Sequence, residues 1–335
     1  MDESIARLPE CLILECLARL HLKEIHVASR VCRKWLRLIR SRYFYTLRKQ
    51  LGYSNQVACL LQHFPPPTNY DLKYVINMFD PINREWNRLP VPNFTNGLPW
   101  STSIASSEGK LVVFTDCDPK SRDPVKSMFV LDFVTRRWRK GNGMPLIRSP
   151  NFCTVTSQCH RIFISGDIGP EEDAVWEYDV GKEEWTEFHR VRGGQIKGLQ
   201  VIGEELWVII GCRGRTNIRM FKKNVDVYHL QTKKWRRVEL DLEGLHDLFG
   251  RRIDLKLYEL MKKLSENKLW VMENCSQLQL GKQSLLMSPT ATLNSGCYGQ
   301  EELFVMQDQD GNFERMQPSS SVFSGYVESS CCVEF

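Results

Sequence analysis

A repeat constrains this chain more than any other feature. An aspartate is followed six residues later by a tryptophan at Asp80/Trp86, Asp132/Trp138 and Asp179/Trp185. The pattern returns in altered form at His229/Trp235 and Gln307/Phe313. The tryptophans are 52, 47 and 50 residues apart. Each pair follows a short apolar run, such as Val75 to Phe79 or Met128 to Leu131, and brackets turn residues such as Asp80-Pro81-Ile82-Asn83 or Gly181-Lys182. Apolar run, turn and aromatic restart together predict a β-hairpin whose second strand begins at the aromatic residue.

A further apolar strand lies upstream of each hairpin, at 57–61, 111–114, 162–164, 206–210 and 269–272. Another strand is expected before each of the last four. Four strands in about 50 residues is the period of a kelch-type β-propeller blade. Units are expected near 56–95, 101–145, 151–192, 196–240 and 255–317, within one domain over 53–335. The last aromatic interval, Trp235 to Phe313, is 78 residues. Its excess divides between 239–264, with a helix expected near 255–264, and a loop at 273–300, and it leaves a sixth, degenerate blade open. The first unit has no evident inner strand. The tail at 320–328 is expected to supply it and so to close the ring, which removes exposed sheet edges. Regular spacing makes Trp86, Trp138, Trp185 and Trp235 core residues between blades rather than a ligand cage.

Residues 1–52 differ in kind. They carry 11 Lys+Arg against 5 Asp+Glu, a net +6 of the whole chain's +5, so the remainder is close to neutral. Apolar residues at helical spacing (Leu12, Cys16, Leu17, Leu20; then Val31, Trp35, Leu38, Ile39) predict three short helices near 9–20, 23–30 and 31–40. So short a segment cannot bury a sufficient core alone, which makes it an interaction module. A basic three-helix unit could read DNA, but Glu10, Glu15 and Glu24 interrupt the charge, and Cys32 and Trp35 are not base-reading residues.

The strings Leu8-Pro9 through Leu20 and Val31-Cys32-Arg33-Lys34-Trp35 resemble an F-box, with His21 standing where that family often has proline. The resemblance implies docking on the acidic Skp adaptor of a cullin-RING ubiquitin ligase, through Leu8, Pro9, Leu12, Ile13, Val31, Cys32 and Trp35. The double glycine usual in kelch repeats is replaced here by Thr115-Asp116, Gly166-Asp167, Ile210-Gly211 and Glu273-Asn274. With Asn96-Gly97-Leu98-Pro99, the order of F-box and degenerate kelch units resembles the plant F-box/kelch-repeat proteins over nearly the whole chain. The expected fold is therefore a small all-α F-box module followed by an all-β kelch-type propeller of about five blades. The function implied is a non-catalytic substrate receptor that delivers a target protein for ubiquitination and proteasomal degradation. The family points to plant metabolic enzymes, such as those of phenylpropanoid synthesis, or hormone-signalling proteins as targets. A scaffold that does not ubiquitinate, or a metal-dependent kelch enzyme, are the alternatives.

Catalytic patterns are missing from the sequence. It has no Cys-x-x-Cys, no P-loop, no Gly-x-Ser-x-Gly and no Gly-x-Gly-x-x-Gly. Kelch enzymes that hold iron use Glu-x3-Asp-x3-His, whereas Glu243 and Asp247 are followed by Arg251. No cofactor or metal is expected. The twelve cysteines are scattered, which fits reduced thiols, and no apolar run approaches the ~20 residues of a membrane helix. The N-terminus lacks a signal-peptide pattern, so the cytoplasm or nucleus is the expected location, with neither membrane nor nucleic acid as a partner.

Target binding is expected on the loops joining second to third strands, 115–126, 166–173, 211–224 and 273–302, since loops carry variable chemistry on a rigid scaffold. Their charges form mixed, acidic and basic sectors. Asp116, Asp118, Arg122, Asp167, Glu171, Arg213, Arg215 and Arg219 are the candidate contacts.

Overall fold

The computed structural model describes residues 8–63, 74–92, 94, 97–99, 102–117, 124–143, 153–155, 160–169, 172–211, 223–240, 276–289 and 302–335. Among these residues, four short N-terminal helices precede five four-stranded antiparallel sheets, the blades of a β-propeller.

The helices are α1 (Glu10–Ala18), α2 (Leu22–Ala28), α3 (Arg33–Ile39) and α4 (Arg42–Gln50). Their starts are fixed by local chemistry. The Pro9 carbonyl accepts from the amides of Leu12 and Ile13. Glu24 reaches back to the His21 amide at 3.0 Å, so the residue that departs from the F-box pattern still starts a helix. Cys32 Sγ accepts from Trp35 N at 3.4 Å, and Ser41 Oγ from Phe44 N at 3.1 Å. The helix α4 was not among the three expected. Tyr43, Phe44 and Tyr45 are poor helix formers by propensity, and the helix is held by its cap and by burial of Phe44.

Ile13, Leu14, Leu17, Ala18, Ile25, Ala28, Leu38, Ile39 and Phe44 make the helical core. Arg48 is buried within this module. Its Nη1 donates to the carbonyls of Ala18 and Leu20, both at 2.9 Å, and its Nη2 to that of Tyr53 at 2.5 Å. One guanidinium thus satisfies carbonyls at the end of α1, which have no partner within the helix.

Blade 1 comprises β20 (Tyr326–Glu334), β1 (Gln56–His63), β2 (Tyr74–Asp80) and β3 (Glu85–Leu89). Blade 2 comprises β4 (Ser103–Ser107), β5 (Lys110–Cys117), β6 (Pro124–Asp132) and β7 (Arg137–Lys140). Blade 3 holds β8 (Cys153–Val155), β9 (Arg161–Gly169), β10 (Glu172–Asp179) and β11 (Glu184–Arg192). Blade 4 holds β12 (Gln195–Ile202), β13 (Glu205–Gly211), β14 (Lys223–His229) and β15 (Lys234–Leu240). Blade 5 holds β16 (Ser276–Leu280), β17 (Gln283–Pro289), β18 (Glu302–Gln307) and β19 (Phe313–Met316). The strands β20, β4, β8, β12 and β16 are innermost, with β20 against β4 and β16, and β8 against β4 and β12.

The repeated aspartate is a turn-former. Asp80, Asp132 and Asp179 each accept an amide two or three residues on, at 2.8 to 3.2 Å, and His229 Nδ1 does the same for Thr232. Four residues later the chain is left-handed, as at Glu183 (φ 61°) and Lys233 (φ 55°), whose amides close back on the residues at the repeat position. In blade 5 the turn-forming residue is Asp308, one position after Gln307.

Two expectations change. The closing strand exists and pairs antiparallel with β1, but it runs over Tyr326–Glu334 rather than 320–328. Residues Ser321–Phe323 form a 3-10 turn begun by Ser320. The small run Ser329-Ser330-Cys331-Cys332 supplies the strand near the axis. Blade 5 takes its first two strands from a hairpin at 276–289, inside the stretch expected to be a loop. Gly281, at φ 62°, makes that turn, and no tryptophan marks it in the sequence. The strand expected at 269–272 and the helix at 255–264 lie outside the described residues.

Candidate functional site: two faces and an F-box joint

Strand direction gives the propeller two faces. The N-terminal end of β1 follows the helices directly, at Asn55, which exchanges two backbone hydrogen bonds with Phe335 (2.8 and 2.9 Å). The proximal face therefore carries the β2–β3, β6–β7, β10–β11, β14–β15 and β18–β19 turns. The second-to-third strand connections open on the opposite, distal face.

The helical module is joined to three blades on the proximal side. Glu334 of blade 1 accepts from Lys49 Nζ at 2.6 Å, Ser54 Oγ at 3.0 Å and Tyr45 Oη at 3.2 Å. Burial pushes its carboxyl up, but Lys49, Ser54 and Tyr45 outweigh burial and hold it below the usual range. Burial and the nearby Glu334 charge raise the Tyr45 phenol, so it remains the donor. Arg42 bridges Glu108 of blade 2, at 2.5 Å, and Asp179 of blade 3, at 3.0 Å. The Glu108 side chain is only 5% exposed, so a nearly dry carboxylate depends on that guanidinium. Glu108-Gly109 forms the β4–β5 turn with both residues left-handed (φ 48° and 71°). A Cβ on Gly109 would lie 3.2 Å from Phe335 Cβ, so glycine also lets the C-terminus pack beneath the turn.

The residues expected to dock an adaptor divide into two groups. Leu8, Pro9, Leu12, Val31 and Cys32 are exposed, Leu12 by 47%. Ile13 is 4% exposed and belongs to the helical core, and Trp35 is half-buried against that core. Ile13 is therefore a packing residue, since a side chain so enclosed has little surface for a partner. The apolar stripe read from sequence is split in the same way, because α1 is apolar nearly all round. Leu12 and Cys16 face outward while Leu17 faces in. The sequence reading also missed Val27, 65% exposed on α2.

Among the repeat tryptophans, Trp86 is buried against Phe79 of its own blade and Phe304 of blade 5. Half-buried Trp138 packs on the core shared by blades 1 and 2. Half-buried Trp185 meets Phe114 across the junction of blades 2 and 3 and donates to the Asn142 carbonyl at 3.3 Å. Trp235 departs from the core expectation. It is 39% exposed and stacks on His189 of blade 3 at 4.1 Å between ring centroids.

Of the expected target-binding residues, Asp116 lies on β5 close to its distal end. Asp167 lies close to the distal end of β9, half-buried, with its Oδ1 accepting from Gly169 N at 3.0 Å. Asp118, Arg122, Glu171, Arg213, Arg215 and Arg219 lie outside the described residues. Among the described residues, no three His, Cys, Asp or Glu side chains are grouped to hold a metal ion, and no helix is long and apolar enough to cross a membrane.

Residues 5–47 match the F-box domain. The chain is 26% identical over 242 residues to the F-box/kelch-repeat protein At1g80440 of Arabidopsis thaliana, covering 70% of this chain and 68% of that one. Over about 70% of its length the chain is similar to plant F-box/kelch-repeat proteins. It is also 25% identical over 246 residues to At1g15670 of the same plant and family, with the same coverage of 70% and 68%. The F-box/kelch-repeat protein At5g26960, also of Arabidopsis thaliana, is 47% identical over 49 residues, 15% of this chain and 12% of its own. The F-box match covers all four helices except the last three residues of α4.

Proposed function

We propose that this chain is the substrate-recognition subunit of a Skp-cullin-F-box ubiquitin ligase. The observation that carries the reading is the division of the F-box surface. One part is ion-paired and packed to the propeller, while Leu8, Leu12, Val27 and Val31 remain exposed. Exposed apolar side chains concentrated on so small a unit favour a protein partner, and the basic balance of residues 1–52 favours an acidic one. The distal face, with its loops of unequal length and charge, receives the target. The chain needs no catalytic group in this role. Its contribution is proximity, holding a target lysine near the conjugating enzyme.

The expected targets are plant metabolic enzymes or hormone-signalling proteins, and the expected setting is the cytoplasm or nucleus. The test is affinity capture from plant cells under proteasome inhibition, with the full chain and with a chain lacking residues 1–52. A true target is captured by both and accumulates in cells expressing the truncated form. If no protein is retained by both forms and enriched by the truncation, the receptor reading is overturned in favour of a scaffold.

A further inference from the structure

A cleft of about 590 Å3 lies between the start of α4 and the proximal turns of blades 2 and 3. That volume is in the range of small-ligand sites. Six cationic side chains line it: Arg40 and Arg42 from the F-box, Lys110, Arg137 and Arg139 from blade 2, and Lys182 from blade 3. The lining carboxylates are three, Glu108, Asp132 and Glu183. They are already engaged. Glu108 takes Arg42, Glu183 takes Arg139 at 2.7 Å, and Asp132 caps the Thr135 amide at 2.8 Å beside Lys110. Arg40, Arg137 and Lys182 meet no carboxylate among the described residues. Burial pushes the Lys110 ammonium down, and Arg139 and Arg42 add to that shift, while Asp132 and Glu108 oppose it. Asp179, next to the lining Val180, also pairs with Arg42 at 3.0 Å, so the cleft holds a surplus of about two positive charges, and the three cations that meet no carboxylate, Arg40, Arg137 and Lys182, are exposed to an incoming ligand.

We propose that this cleft binds a small polyphosphate-type anion that ties the F-box to blades 2 and 3. A single carboxylate would leave half of the surplus uncompensated. A compact anion of two to three charges, with several acceptor oxygens, matches both the charge and the fork-shaped guanidinium donors. The site spans two parts of the chain, so its ligand stiffens the joint that fixes how the propeller is presented. Its occupancy is independent of adaptor or target.

The probe is inorganic pyrophosphate, titrated calorimetrically into the full chain at constant ionic strength, with thermal melting in parallel. Saturable one-to-one binding and a melting temperature that rises with pyrophosphate are expected. Arg137→Ser combined with Lys182→Ser should weaken binding by about tenfold or more. Because both residues are exposed and neither meets a carboxylate among the described residues, the ligand-free melting temperature of that double variant should stay near wild type. Absence of saturable binding to wild type overturns the proposal, as does a well-folded double variant that binds as wild type does. Binding of a polyglutamate peptide, but not of pyrophosphate, through the same two residues overturns the ligand class in favour of an acidic protein segment.

Discussion

The two faces of the propeller follow different rules. On the proximal face the turns between third and fourth strands hold four residues in blades 1 to 4 and five in blade 5. Each is organised by a side chain at or beside the same repeat position. On the distal face the connections between second and third strands span ten, six, two, eleven and twelve residues. Uniform turns give a level platform, and the F-box is fastened to it through Arg42, Lys49 and the C-terminal Phe335. Unequal connections give a surface that changes without disturbing that platform. On the function proposed above, stability and presentation fall to one side and recognition to the other.

The largest effect should come from breaking the strand that ties the two parts together. Ending the chain at Ser324 removes β20 and with it the buried Cys331, Val333 and Phe335. It also removes the Gly325 carbonyl that buried Gln62 holds at 2.6 Å. Loss of cooperative thermal unfolding is expected, and a transition like that of wild type would show that the ring closes in another way.

Next comes Arg42→Met, which strands the enclosed Glu108 carboxylate. A loss of about 3 kcal/mol in urea unfolding is expected, against little change if the joint is a solvated surface contact.

Smaller, and dependent on pH, is Glu334→Gln. Its carboxyl is depressed in the folded state, so its contribution is present above the ordinary carboxylate range and is lost as pH falls through the folded value. Lys49 is largely exposed, so screening limits the loss to roughly 1 kcal/mol at neutral pH. The gap between variant and wild type should close on acidification. A gap that stays constant with pH would assign the effect to packing.

The smallest stability change is expected on the distal side. Replacing residues 212–222 by a glycine-serine segment of equal length should move unfolding by no more than about 0.5 kcal/mol. Target capture should nevertheless be lost.

Much of this architecture was legible from the chain because it repeats. The aspartate and aromatic positions located the third and fourth strands of the blades, and the missing inner strand of blade 1 pointed to the tail. What escaped the reading lacked such a mark. The β16–β17 hairpin has alternating Gln277-Leu278-Gln279-Leu280 but no aromatic anchor, and α4 is rich in residues that favour strands. Composition cannot decide which apolar residues of α1 face out, since Leu12 and Ile13 differ only in what the other helices cover. The cleft was invisible because Arg40, Arg137 and Lys182 are far apart in sequence and meet only when α4 sits on the proximal turns.

The account rests on the F-box surface left open once the joint is made. The most direct measurement is binding of a purified Skp-type adaptor to the full chain and to Leu8→Asp/Leu12→Asp, with melting curves for both. Both leucines are exposed, so the variant should melt as wild type does and yet lose the adaptor. Failure of the wild-type chain to bind, or equal binding by a folded variant, would contradict it.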